Sequence, residues 1–61
     1  MGGKIKLLIV DDEVQFLESI AKRLELRGFE VKTASNGQDA LEFARKEKYD
    51  IAIVDLKMPG I

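Results

Sequence analysis

The sequence has no cysteine, no histidine and a single proline. Without cysteine there are no disulfide staples and no thiolate metal site. Without histidine the commonest zinc ligand is gone, and so are the usual catalytic base and the Ser-His and Cys-His dyads. Long apolar runs are also missing. The longest purely aliphatic stretches are Leu7 to Val10 and Ile51 to Val54. Neither approaches the roughly 20 residues needed to span a bilayer. Lys4 and Lys6 precede the first run, which is too short for the core of a signal peptide. No charge of one sign dominates: ten Lys and Arg against eleven Asp and Glu leave a net charge of −1. That balance predicts no general attraction to nucleic acid or to an anionic membrane. A cysteine-free chain without an export signal fits the cytoplasm.

What is present argues for a folded domain. The chain is 46% hydrophobic and 34% charged, which is not the composition of disorder. Its 61 residues allow one small domain. A chain of this size buries only about 60% of the surface it exposes when unfolded, so it usually needs a staple. With disulfides and thiolate metal sites excluded, a partner chain or a further part of the same chain is the expected help. Residues 1–5 read as a leader, and the domain as residues 6–61.

The apolar pattern changes period along the chain, and each change marks an element. Lys6 to Val10 is a short continuous aliphatic run and reads as a strand covered on both faces. Val14, Leu17, Ile20, Ala21 and Leu24 recur at helical spacing and predict an amphipathic helix over 14–27. Asp12 and Gln15 have capping-box spacing at its start, and Gly28 suits the left-handed position that ends it. Glu18 and Lys22 suggest an i,i+4 pair on its solvated face.

Phe29 to Ala34 alternates, with Glu30 and Lys32 on the polar face, as an edge strand does. Ser35 and Gln38 suggest a second capping box, and Asn36-Gly37 a turn. Ala40, Leu41, Phe43 and Ala44 give one apolar face to a second helix ending near Lys46 or Lys48. Ile51 to Val54 reads as a third strand, aliphatic throughout and suited to burial on both faces. Asp55 to Ile61 reads as a loop with Pro59-Gly60 as its turn.

The order β-α-β-α-β implies an α/β fold with a parallel sheet and right-handed crossovers. The half-polar second strand belongs at an edge, and the two aliphatic strands should be neighbours. The predicted strand order is 2-1-3. The outer edge of the third strand then carries no Lys or Pro to blunt it, and it invites pairing with another strand.

Parallel neighbours put their C-terminal ends on one edge of the sheet. Asp11 and Asp12 follow the first strand and Asp55 follows the third, so three carboxylates can converge there. That edge, at the topological switch point, is where open α/β sheets bind ligands. Clustered carboxylates either raise their pKa values or take a cation. An all-oxygen donor set favours Mg²⁺, and a carboxylate beside that ion can act as a nucleophile toward phosphorus. A single Asp after a strand is more often a cap or turn residue. The Asp-Asp pair together with Asp55 at a matching strand end shifts the balance toward a site. Phosphate-loop alternatives lack their glycines: no Gly-x-Gly-x-x-Gly or Walker sequence follows the first strand.

The segments Leu-Leu-Ile-Val-Asp-Asp-Glu (7 to 13), Ala-Ser-Asn-Gly-Gln-Asp-Ala-Leu (34 to 41) and Tyr-Asp-Ile-Ala-Ile-Val-Asp-Leu-Lys-Met-Pro-Gly (49 to 60) resemble receiver domains of two-component response regulators. The resemblance covers nearly the whole chain from Lys6 onward. It implies a CheY-like, flavodoxin-like fold and a role in phosphorelay signalling with a histidine kinase as donor. By the match, Asp55 is the phosphoacceptor. Asp11, Asp12 and Asp55 hold Mg²⁺, with Asp12 the more direct ligand of the acidic pair, and Lys57 supplies a backbone carbonyl.

Receiver domains have five strands in about twice this length. The expectation is therefore the N-terminal half of such a domain, whose parent function is phosphoryl acceptance on Asp55. The half by itself is not expected to be a competent switch or an enzyme, with Mg²⁺ weakly held or absent. The family's Ser or Thr after strand four and its Lys after strand five have no counterpart in these residues. The alternative is a non-enzymatic half-domain that forms a homodimer through its third strand. No nucleic-acid or membrane partner is expected.

Overall fold

A computed structural model of the chain describes residues 3–55. The elements are β1 (Lys6–Asp11), α1 (Val14–Leu26), β2 (Glu30–Ala34), α2 (Gly37–Lys46) and β3 (Ile51–Asp55). The three strands form a parallel sheet in the order β2-β1-β3, as the strand compositions predict. Because β2 and β3 lie on opposite sides of β1, the two crossovers run in opposite directions. Right-handed connections then place α1 and α2 on opposite faces of the sheet. The crevice between the C-terminal ends of β1 and β3 is the switch point.

The core centres on β1. Leu7, Leu8, Ile9 and Val10 are all buried, with Ile9 and Val10 the most enclosed. Leu8, Val10 and Ala34 form one cluster, against which Ala40 and Phe43 of α2 and Tyr49 pack. Leu17 is the buried residue of α1. β2 alternates as an edge strand should: Glu30 and Lys32 are exposed, while Val31 and Thr33 are half-buried. Lys32 Nζ sits 4.4 Å from the centre of the Phe43 ring, fastening β2 to α2 by a cation–π contact.

β3 departs from expectation. All five of its residues are exposed, Val54 to 62%, despite their aliphatic character. Among the described residues only β1 pairs with it, and no helix covers its faces. A groove of about 380 Å³ runs alongside it, lined by Leu8, Val10, Ala40, Leu41, Ala44 and Val54. Leu41 and Ala44, which share a stripe with Ala40 and Phe43, are therefore exposed.

The caps differ in detail. Asp12 does not cap α1, whose N-cap is Glu13 with no side-chain cap bond. Instead the Glu13 N–H donates to Asp11 Oδ1 at 2.9 Å, one residue upstream of the predicted box. α2 is capped by Asn36, not Ser35: Asn36 Oδ1 accepts from the Asp39 N–H at 2.8 Å. Asn36-Gly37 is thus the helix start itself. Glu18 and Lys22 do not come within ion-pair distance, and the recorded pairs run from Lys6 Nζ to Glu47 at 3.6 Å and Glu30 at 4.0 Å.

The end of α1 is as predicted. Gly28 has φ +98°, Phe29 N–H donates to Leu24 O and Gly28 N–H to Glu25 O, the two bonds of a Schellman motif. Phe29 falls just outside β2.

Candidate functional site

The site is assembled by strand ends. β1 and β3 pair in the register Leu7 with Ile51 through to Asp11 with Asp55, so the two aspartates occupy one row at the C-terminal edge. Partners in a parallel ladder share a face, so both belong to the face that carries Leu7 and Ile9, not Leu8 and Val10. Asp12 follows directly, exposed, where the chain leaves the sheet for α1.

The carboxylates differ in setting. Asp11 is 5% exposed, and its Oδ1 is fixed by the Glu13 N–H. A buried carboxylate held this way is oriented before any ligand arrives. Asp12, Glu13 and Asp55 are exposed.

Ligand oxygens of Asp11, Asp12 and Glu13 lie within 4.8 Å of one another. Glu13 was not singled out as a ligand from the sequence, although it follows the Asp-Asp pair directly. Its position as N-cap at the tight exit from β1 turns it back toward its neighbours. Asp55 is in register with this cluster but is not part of it at that distance. Lys57 lies outside the described residues.

The donor set suits a hard divalent cation. Oxygens on opposite sides of an octahedral Mg²⁺ stand about 4.2 Å apart, from a metal–oxygen distance of about 2.1 Å. A cluster spread over up to 4.8 Å can meet that with a small inward movement of two exposed side chains. Among the described residues the cluster holds no sulfur or imidazole.

A parallel α/β sheet with carboxylates at its switch point defines the class: an open-sheet α/β domain with an acidic crevice at its strand ends, the edge where such folds bind ligands. Comparison with known proteins makes the family definite. The profile of the response regulator receiver domain matches residues 7–61, and the chain belongs to that family. It is 44% identical over 56 residues to the "Transcriptional regulatory protein CpxR homolog" of Haemophilus influenzae, covering 92% of this chain and 24% of that protein. It is 39% identical over 56 residues to "Protein PilH" of Pseudomonas aeruginosa, covering 92% of this chain and 46% of that protein.

The chemotaxis response regulator CheY4 of Vibrio cholerae superposes with a TM-score of 0.84 at 36% identity, over 95% of this chain and 48% of that one. The chain thus spans about a quarter of the CpxR homolog's length and about half of PilH and CheY4. The β-α-β-α-β sheet in order 2-1-3 is the corresponding part of a CheY-like, flavodoxin-like fold. Response regulators are components of two-component signalling. No described helix is long and apolar enough to cross a membrane.

Proposed function

We propose that Asp55 accepts a phosphoryl group from a histidine kinase, with Asp11 and Asp12 forming the acidic pocket beside it. The observation that carries this reading is the register pairing of Asp55 with Asp11, which sets an exposed carboxylate beside an oriented, buried one at the switch point. An Asp55 carboxylate oxygen attacks phosphorus, an acyl phosphate forms, and the donor's P–N bond breaks. Exposure of Asp55 lets a macromolecular donor reach it. Asp11, Asp12, Asp55 and the Lys57 carbonyl are the proposed Mg²⁺ ligands, with Glu13 as a further neighbour. When bound, the cation offsets negative charge on the transferring group. The protein's own part is to hold Asp11 fixed through Glu13 N–H and to present Asp55 at the strand end. The chain serves as acceptor, not as an enzyme, and the cytoplasm is its proposed location.

Incubation with acetyl phosphate and Mg²⁺, followed by mass spectrometry, tests this reading. A single phosphoryl group on Asp55, absent in Asp55→Asn, is the expected result. No label, or a label on another residue, overturns it.

A second reading concerns the 61-residue chain as a molecule: it forms a homodimer through β3. This is supported by the exposed aliphatic strand with an unpaired outer edge among the described residues, and by the apolar groove beside it. A two-fold axis makes the joining strands antiparallel. Sedimentation equilibrium yielding a folded monomer at high concentration sinks this reading.

A further inference from the structure

Asn36 is the only asparagine in the chain, and it is followed by glycine. Both residues are exposed. Gly37 is the first residue of α2, so its N–H has no partner within the helix. A Cβ built on Gly37 meets nothing within 4 Å, and the residue's own lack of one leaves its nitrogen open to approach. The Asn36 side chain is held at both ends by one residue. Its Oδ1 accepts from the Asp39 N–H at 2.8 Å, and its Nδ2 donates to Asp39 Oδ2 at 3.2 Å.

We propose that Asn36 is a site of spontaneous deamidation, and that Asp39 is the latch that sets its rate. The Gly37 amide nitrogen loses its proton to solvent base and attacks Asn36 Cγ. The Cγ–Nδ2 bond breaks, and Nδ2 takes up a proton and leaves as ammonia. Water then opens the five-membered imide at either carbonyl, giving aspartate or isoaspartate. Ring closure requires the side chain to leave its cap, so both bonds to Asp39 oppose it. The rate therefore follows opening of the first turn of α2.

The products are not neutral for the fold. Aspartate at 36 can still accept from the Asp39 N–H, but it exchanges the Nδ2 donor for an oxygen facing the Asp39 carboxylate. Isoaspartate adds a carbon to the backbone where α2 begins. That helix carries Ala40 and Phe43, which pack on Leu8, Val10 and Ala34.

The test ages the intact chain at mildly alkaline pH and maps it by mass spectrometry, with an isoaspartate-specific assay. Conversion at residue 36 to a mixture of both acids is expected. Gly37→Ala remains folded, because its Cβ enters open space at a helical position, and it slows conversion strongly. Asp39→Ala speeds conversion by up to about tenfold, the worth of one such hydrogen bond. Amide loss at Gln15 or Gln38 ahead of Asn36, or equal ageing of wild type and Gly37→Ala, overturns the site. An unchanged rate in Asp39→Ala overturns the latch.

Discussion

Asp11 and Asp55 stand side by side in the β1–β3 ladder, yet one is buried and the other exposed. The difference lies in their strands. β1 has a neighbour on each side, while among the described residues β3 is paired on one side only. Two carboxylates in one row thereby take different parts: one is fixed and shielded, the other free to be reached.

The fixed one also ends β1 and holds the turn that leads into α1. Asp11→Ala removes the acceptor of the Glu13 N–H and is expected to cost about 1 kcal/mol. Asp11→Asn keeps a side-chain oxygen and loses the charge, so stability should change by less than about 0.5 kcal/mol. Both variants should weaken Mg²⁺ binding. Urea titration at constant m-value, alongside calorimetric Mg²⁺ titration, separates the two roles. Equal destabilisation by Ala and Asn would remove the stabilising role of that hydrogen bond.

The middle strand sets the stability. Ile9 is nearly inaccessible, and Ile9→Ala leaves a cavity worth about 2–5 kcal/mol. Small domains have little more than that in total. The expected result is loss of cooperative thermal unfolding by circular dichroism. Ile51→Ala, on an exposed strand, should retain it.

Gly28 ends α1 at φ +98°, where a side chain is strained whatever the space around it. Gly28→Ala should cost about 1 kcal/mol. An unchanged urea midpoint would show that the Schellman turn is not required.

Tyr49 is the only tyrosine, and there is no tryptophan, so its ionisation is readable by absorbance. Its pKa is raised above the ordinary 10.0, first by burial and next by the hydrogen bond it donates to Glu47 Oε1 at 3.0 Å. A folded pKa above the unfolded one favours the protonated, folded form. The contribution is complete below about pH 10 and is lost as pH rises through the folded value. A midpoint above 10 is expected in the folded chain. Glu47→Gln should move it down without restoring the ordinary value, because burial is the larger cause.

Elements and strand order were legible because each rests on periodicity that survives any surroundings. Lys6 to Val10 reads as a covered strand from its unbroken aliphatic run, and the charges of Glu30 and Lys32 point to an edge. Gly28 is visible because few residues take its backbone angle. The exact caps were not legible. Asp12 and Asn36 each have an eligible neighbour, and the choice depends on how the chain leaves the strand, which is a matter of backbone path. The exposure of β3 is hidden from the sequence for a different reason. Aliphatic composition reports what a strand can bury, not what lies beside it. Asp11, Asp12 and Asp55 are candidates from strand ends alone; the structure groups Asp11 and Asp12 with Glu13, which strand ends do not point to, and leaves Asp55 in register beside them.

The start of β3 is fastened to the start of β1. Lys6 N–H donates to Asp50 Oδ2, and Asp50 N–H donates to Lys6 O. That contact closes a span of 44 positions, far longer than the span joining β1 to β2. Long closures cost more chain entropy and come late in assembly. β1, α1 and β2 can therefore gather first, with β3 arriving as the closing piece. Asp55 travels on that piece, so the Asp11–Asp55 row forms only once β3 has docked on β1.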